Sequence, residues 1–182
     1  MIRKRMLAVA ACVILLLVSG HAGFGQQQTK PPPKPPVLTR ILFVFDASQS
    51  MYGMWQNSTK FDIATRLFSD LLDSLKTVKD LEVALRMYGH QKQYPPQDCD
   101  DTRLEVPFAK DNIPRIQHVL KTIRPKGTTP IAFSLLQAAN DFPACDHCRN
   151  IIILITDGIE ECGGDPCAAS ITLQQQGIIL KP

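Results

Sequence analysis

Two short apolar runs, Ile41–Phe45 and Ile151–Ile155, constrain this chain more than any other feature. Each is an uninterrupted series of aliphatic or aromatic residues, too short for a buried helix and rich in β-branched side chains. Such runs are strands covered on both faces. Each also leads into an acid, Asp46 in the first case and, after Thr156, Asp157 in the second. The first continues as Asp46-Ala47-Ser48-Gln49-Ser50. An acid and two hydroxyl side chains, Asp46, Ser48 and Ser50, at the end of a buried strand cost free energy unless something pairs with them.

The remaining pattern alternates strands with helices. Phe61, Ala64, Leu67, Phe68, Leu71, Leu72 and Leu75 recur at helical spacing and predict a helix from about Lys60 to Val78. In "LEVALRMYG" the apolar residues Val83, Leu85 and Met87 alternate with Arg86 and Tyr88, which predicts a less buried strand. "TRLEVPF" reads as a short strand, and Pro107 suits it to an edge. Ile113, Ile116, Leu120 and Ile123 mark a second helix. "KGTTPIAFSLLQAAN" is a loop opening a third, with Pro130 at its first position. A short helix over Asp165–Gln175 and a strand at "GIIL" follow. The expectation is an α/β sheet with helices on both faces. The chain stops two residues after that strand, which reads as an incomplete version of a larger domain.

The first 25 residues stand apart. Arg3, Lys4 and Arg5 precede an apolar stretch, Met6–Val18, too short to span a bilayer comfortably, and Gly23 and Gly25 offer small residues for cleavage. This is the pattern of a secretory signal peptide, an uncleaved anchor being the alternative. Residues 26–37 form a proline-rich, semi-rigid linker, and a domain over 38–182 follows. Without the signal the chain holds 17 basic and 17 acidic residues, so its formal +3 belongs to the targeting segment. No basic excess remains to suggest nucleic acid. Membrane contact is expected only through an uncleaved signal.

Three loops carry oxygen ligands: Asp46-Ala47-Ser48-Gln49-Ser50, Thr128-Thr129 after Gly127, and Asp157-Gly158. In open α/β sheets, ligands bind beyond the carboxyl ends of the strands where strand order reverses. If the two buried strands are neighbours, Asp46 and Asp157 reach one crevice. Two carboxylates and three hydroxyls are hard donors suited to Mg²⁺ or Mn²⁺. Taken singly, each loop has a simpler reading. Asp-x-Ser-x-Ser could be a capped turn, Thr129 an N-cap and Asp157-Gly158 an ordinary turn.

In this order, "DASQS", "GTTP" and "TDG" resemble the metal-ion-dependent adhesion site (MIDAS) of von Willebrand factor type A (VWA) domains. "ECGGDPC" and "YGH" resemble a bacterial exported subgroup. The resemblance implies a Rossmann-like α/β fold with a mostly parallel central sheet, helices on both faces and one antiparallel edge strand. It implies Mg²⁺ or Mn²⁺ held by Asp46, Ser48, Ser50, Thr129 and Asp157, the hydroxyls binding directly and the aspartates often through water. A partner protein's Asp or Glu carboxylate would complete the shell. The family fold continues past the point where this chain ends. The expected function is an exported, non-enzymatic adhesion module in the periplasm or on the surface of a bacterium. The alternatives are a metal-assisted hydrolase and a structural domain whose metal knits loops together.

Export also bears on the cysteines. Cys99, Cys145, Cys148, Cys162 and Cys167 follow the signal, and an oxidising compartment favours disulfides among them. Cys145–Cys148 is the expected local pair, at the end of its strand opposite Asp157. Cys162–Cys167 is the nearer of the remaining pairs, with Cys99 as a replacement for either. Tyr52, Trp55 and Tyr88 are candidate partner anchors at the rim of the site, partial burial against the first helix being the other reading.

Overall fold

The computed structural model describes residues 38–182; the signal segment 1–25 and the linker 26–37 lie outside the described residues. Among the described residues, seven strands and four α-helices follow one another. They are β1 (Leu38–Asp46), β2 (Met54–Trp55), β3 (Ser58–Thr59), α1 (Lys60–Leu75), β4 (Leu81–Tyr88), β5 (Thr102–Ala109), α2 (Ile113–Thr122), α3 (Ile131–Ala139), β6 (Cys148–Ile155), α4 (Pro166–Gln175) and β7 (Ile178–Lys181). A 3₁₀ turn, Gln49–Tyr52, and the small hairpin β2–β3 lie between β1 and α1. Among the described residues no helix is long and apolar enough to cross a membrane.

The main sheet has the order β5-β4-β1-β6-β7. All its pairings are parallel except β4–β5, where β5 is the antiparallel edge. Side chains alternate along β1. Phe43 and Phe45 pack under α1 and α2 with Phe68, Leu72, Ile116 and Leu120. Leu42 and Val44 pack under α3 and α4 with Leu135, Ala138 and Leu173. The Phe45 and Phe68 rings stack 5.5 Å apart. Burying both faces of a strand requires the unbroken apolar run from which the sequence argument started.

Two strands differ from expectation. β6, read as covered on both faces, is only partly buried along most of its length, with Ile152 its one buried residue. β4 is buried on both faces through its C-terminal half, Arg86 and Tyr88 included. Its polar side chain is tolerated because Arg86 makes a two-pronged pair with Asp141, Nε to Oδ2 at 2.7 Å and Nη2 to Oδ1 at 2.8 Å. A charge so paired no longer demands water.

Beyond β4, the chain is held by a polar knot. Asp101 accepts hydrogen bonds from the backbone amides of Gln91 and Lys92. His90 is buried, with Nε2 2.6 Å from Glu105 Oε1 and Nδ1 without a hydrogen-bond partner. Burial is the largest influence on this ring and holds its pKa below the ordinary 6.5, against the upward pull of Glu105 and Asp101; Arg103 adds to the depression. A histidine kept neutral by the fold binds fewer protons than in the unfolded chain. Its contribution is therefore present above about pH 6.5 and is lost as pH falls through that value towards its depressed folded pKa. Replacing His90 with Gln should flatten this part of the acid limb, measured as unfolding temperature against pH between 7 and 5.

Candidate metal centre

β1 and β6 are adjacent and parallel, with Phe45 opposite Ile155. Asp46 and the Thr156-Asp157 pair therefore leave the sheet side by side. β4 flanks β1 on one side and β6 on the other, so strand order reverses at β1. The three oxygen-bearing loops meet at this point. Ser48 forms a bridge to Gly127, and the Gln49 amide donates to the Gly127 carbonyl at 2.8 Å. Gly89 makes the close approach possible. Its φ is +68°, and a Cβ there would lie 2.7 Å from Ser48 Cα and 2.6 Å from the Thr128 carbonyl oxygen. No other residue fits between those loops.

The three loops converge, with Thr129 meeting the others through its methyl group. A Cβ on Gly158 would lie 3.6 Å from Thr129 Cγ2, 3.7 Å from Ser50 Oγ and 3.9 Å from Asp46 Oδ2. The three loops thus face one small space. Ser48 Oγ lies 3.0 Å from Ser50 Oγ, and Ser50 Oγ donates to Asp157 Oδ1 at 3.0 Å. An octahedral ion with oxygens at about 2.1 Å spaces adjacent ligands by about 3.0 Å. That spacing serves a hydrogen-bonded string or a shared coordination shell equally well. Ser48 and Thr129 are both buried, whereas Ser50 is exposed. Among the described residues no three His, Cys, Asp or Glu side chains form a metal-holding group. The donor set offers two carboxylates, and hydroxyls supply the rest, which fits a hard cation with water in its shell.

Asp46 has no exposed surface. Burial pushes its carboxyl above the ordinary aspartate range, opposed by hydrogen bonds from the Ser48 side chain and amide and from Thr156. The Ser48 amide donates at 2.8 Å and Thr156 Oγ1 at 2.7 Å. Asp157 is shared: Oδ1 takes Ser50, and Oδ2 takes Lys60 Nζ at 2.5 Å.

Four participants escaped the sequence reading. Thr156 fixes the second oxygen of Asp46, and Lys60 holds Asp157. Glu160 accepts from the Ala132 amide at 2.7 Å and the Cys162 amide at 2.8 Å, while Glu161 accepts from the Thr129 amide at 3.2 Å. Glu160 supplies an acceptor for the first turn of α3, the role that the capping reading gave to Thr129, while Glu161 holds the Thr129 amide just ahead of the helix. The residue at the N-cap of α3 is Pro130, which has no side-chain oxygen, and no side-chain cap bond is made there. A helix start without a capping side chain was the signal that its amides needed acceptors from elsewhere.

The rim assignments divide. Trp55 is 60% exposed and Tyr52 49% exposed, beside Met54 at 67%. Tyr88 is not at the rim, because it is fully buried and packs with the α3 and α4 core. As the last residue of β4, opposite Asp46, it turns inward under those helices. Its hydroxyl lies beside Asp46 and Thr156 without a hydrogen-bond partner, and burial and the Asp46 charge push its pKa far up.

The disulfides also divide. Cys145 and Cys148 are bonded at the start of β6, at the other end of that strand from Asp157. Cys162 pairs with Cys99, and Cys167 is free and exposed. Proximity in sequence misled here. Asp165 caps α4 by accepting from the amides of Cys167 and Ala168, which commits Cys167 to the helix's first turn. Cys162 stays on the loop beside Cys99, with a Cα–Cα distance of 5.6 Å. This bridge spans 63 residues and ties together the two loops flanking the site. Loop-closure entropy makes such a bridge worth about 4 kcal/mol. Alkylation of the oxidised protein without reductant should label Cys167 alone among these five; finding Cys162–Cys167 by peptide mapping would contradict the pairing.

A sequence profile of the von Willebrand factor type A domain matches residues 41–160. The chain belongs to the von Willebrand factor type A family. The VWA fold also appears in solved structures. BatB from Bacteroides thetaiotaomicron, a conserved hypothetical protein, superposes with a TM-score of 0.64 at 22% identity, covering 79% of this chain and 64% of that one. Proximal thread matrix protein 1 from the mussel byssus, with a zinc-occupied MIDAS motif, gives 0.59 at 17% identity, covering 80% of this chain and 37% of that one. Among sequences, the uncharacterized protein YwmD of Bacillus subtilis (strain 168) is 32% identical over 135 residues, covering 71% of this chain. The chain spans 59% of YwmD's length. VWA domains generally mediate binding between proteins.

Proposed function

We propose that this VWA domain is an exported protein-binding module that works through a divalent cation, Mg²⁺ or Mn²⁺, and accepts a carboxylate from its partner. The observation that carries this reading is the convergence of Asp46, Ser48, Ser50, Thr129 and Asp157, from three loops, on one space at the reversal point of the sheet. A bound cation would supply an electrophilic contact for an anionic oxygen. The residues do the rest. Ser48, Ser50 and Thr129 offer neutral oxygens, Asp46 and Asp157 balance the ion's charge, and Thr156 and the Ser48 amide fix the Asp46 carboxylate. The zinc-occupied MIDAS motif of the mussel protein supports a metal in this fold.

Binding is favoured over hydrolysis because the acids beside the site, Glu160 and Glu161, are engaged with backbone amides. That leaves no obvious general base among them. The signal pattern of residues 1–25 and two disulfides support export, to the periplasm or a bacterial surface. Tyr52 and Trp55 provide exposed aromatic surface for the partner. Titration calorimetry with Mg²⁺ and with Mn²⁺ tests the reading; a single saturable site is expected, and no heat with either ion would refute it.

A further inference from the structure

Lys60 is out of place by the local rules of its helix. It is the first residue of α1, where the amides carry partial positive charge and a cation is unfavourable. The rest of that turn obeys the rule: Thr59 caps the helix by accepting from the Asp62 amide, and Asp62 supplies an acid. Departures from local preference tend to mark functional positions.

The side chain follows a defined path. The Lys60 amide donates to the Gly53 carbonyl at 2.9 Å, and its Cε lies 3.3 Å from where a Cβ on Gly53 would stand. Lys60 lines an apolar groove together with Met51, Trp55 and Ile63. The ammonium ends on Asp157 Oδ2, while Asp157 Oδ1 accepts from Ser50. The Lys60 side chain is 35% exposed and that of Asp157 only 17%. One carboxylate therefore faces the proposed metal ligands with one oxygen and a fixed cation with the other.

We infer that Lys60 is a tethered competitor for Asp157 that sets the affinity of the metal site. The inference rests on the metal reading above. An ion held among Asp46, Ser48, Ser50 and Thr129 must share Asp157 with a positive charge about one carboxylate away. Repulsion between them weakens metal binding. Because Asp157 is already partly neutralised, a bound ion keeps more of its charge for a partner's carboxylate. When metal is withdrawn, Lys60 keeps Asp157 paired, so removing the metal does not disrupt the loops.

The test compares wild type with Lys60→Met and Lys60→Gln, which remove the charge, and with Lys60→Arg, which keeps it. Mg²⁺ affinity is measured by calorimetry, and unfolding temperature by circular dichroism in chelator and in excess Mg²⁺. The neutral variants should bind Mg²⁺ roughly tenfold tighter, the attenuated effect of one charge at such a distance. They should unfold at lower temperature in chelator, show a larger Mg²⁺-induced rise, and leave Lys60→Arg close to wild type. Metal binding by the neutral variants but not by the wild type would also support competition. If the wild type binds and the neutral variants bind equally or more weakly, Lys60 does not compete, and the metal site stands without it. If neither wild type nor neutral variants respond to Mg²⁺ or Mn²⁺, the metal reading falls and the inference falls with it.

Discussion

Asp46→Ala should abolish divalent-cation binding while the domain still folds. Asp46 is the buried carboxylate of the proposed ligand set, held from two sides by Ser48 and Thr156. Without it, one carboxylate remains, already shared with Lys60, and three neutral hydroxyls cannot hold a dication in water. Folding should survive because the buried charge is a cost to the native state: burial raises its pKa, so the ionised form is disfavoured there. Truncation removes that cost and leaves the Ser48 amide without its acceptor, a penalty of about 1–3 kcal/mol in the opposite direction. The two effects are of similar size, and the core around Phe43, Phe45 and Leu42 is untouched. Calorimetry with Mg²⁺ and Mn²⁺, with a thermal melt alongside, checks both halves. Equal metal binding in wild type and variant would overturn the assignment of Asp46.

The second large effect concerns Thr129. Its side chain is buried and forms no cap on α3, and its amide is held by Glu161. The hydroxyl is therefore not committed to helix stability. Thr129→Val keeps the volume and removes the oxygen, whereas Thr129→Ala also removes a methyl worth about 1 kcal/mol of packing. Both should weaken metal-dependent partner binding by at least about tenfold, the scale of losing even an outer-shell metal partner. The valine variant should melt close to wild type. If Thr129→Val melts far lower but binds normally once folded, the hydroxyl serves the fold and not the ion.

Much of this was legible because β1 and β6 are unbroken apolar runs that end in acids. That pattern predicted two strands ending in acids, and their pairing in the sheet, which the sequence left open, brings Asp46 and Asp157 together. β5 was legible from Pro107, which suits an edge. What misled was reading alternation as exposure in β4. Arg86 and Tyr88 are polar by composition, yet Arg86 is neutralised by Asp141, 55 residues away, and Tyr88 turns into the second core. Sequence spacing shows neither contact. The same limit applies to Cys162, whose partner is 63 residues distant while Cys167 is five residues on. Lys60, Glu160 and Glu161 are ordinary charged residues in the sequence, and only the meeting of loops gives them roles.

The central claim is that recognition runs through a cation held by these five side chains. Its most direct measurement is capture of envelope proteins on the immobilised domain in Mg²⁺, in chelator, and after Mg²⁺ is restored, with Asp46→Ala run in parallel and folding followed by circular dichroism. The account predicts a partner retained in Mg²⁺, released by chelator with the fold intact, recovered on restoring the ion, and never retained by Asp46→Ala. Retention undiminished by chelator, and equal on Asp46→Ala, would contradict it and move recognition to the exposed aromatic surface at Tyr52 and Trp55.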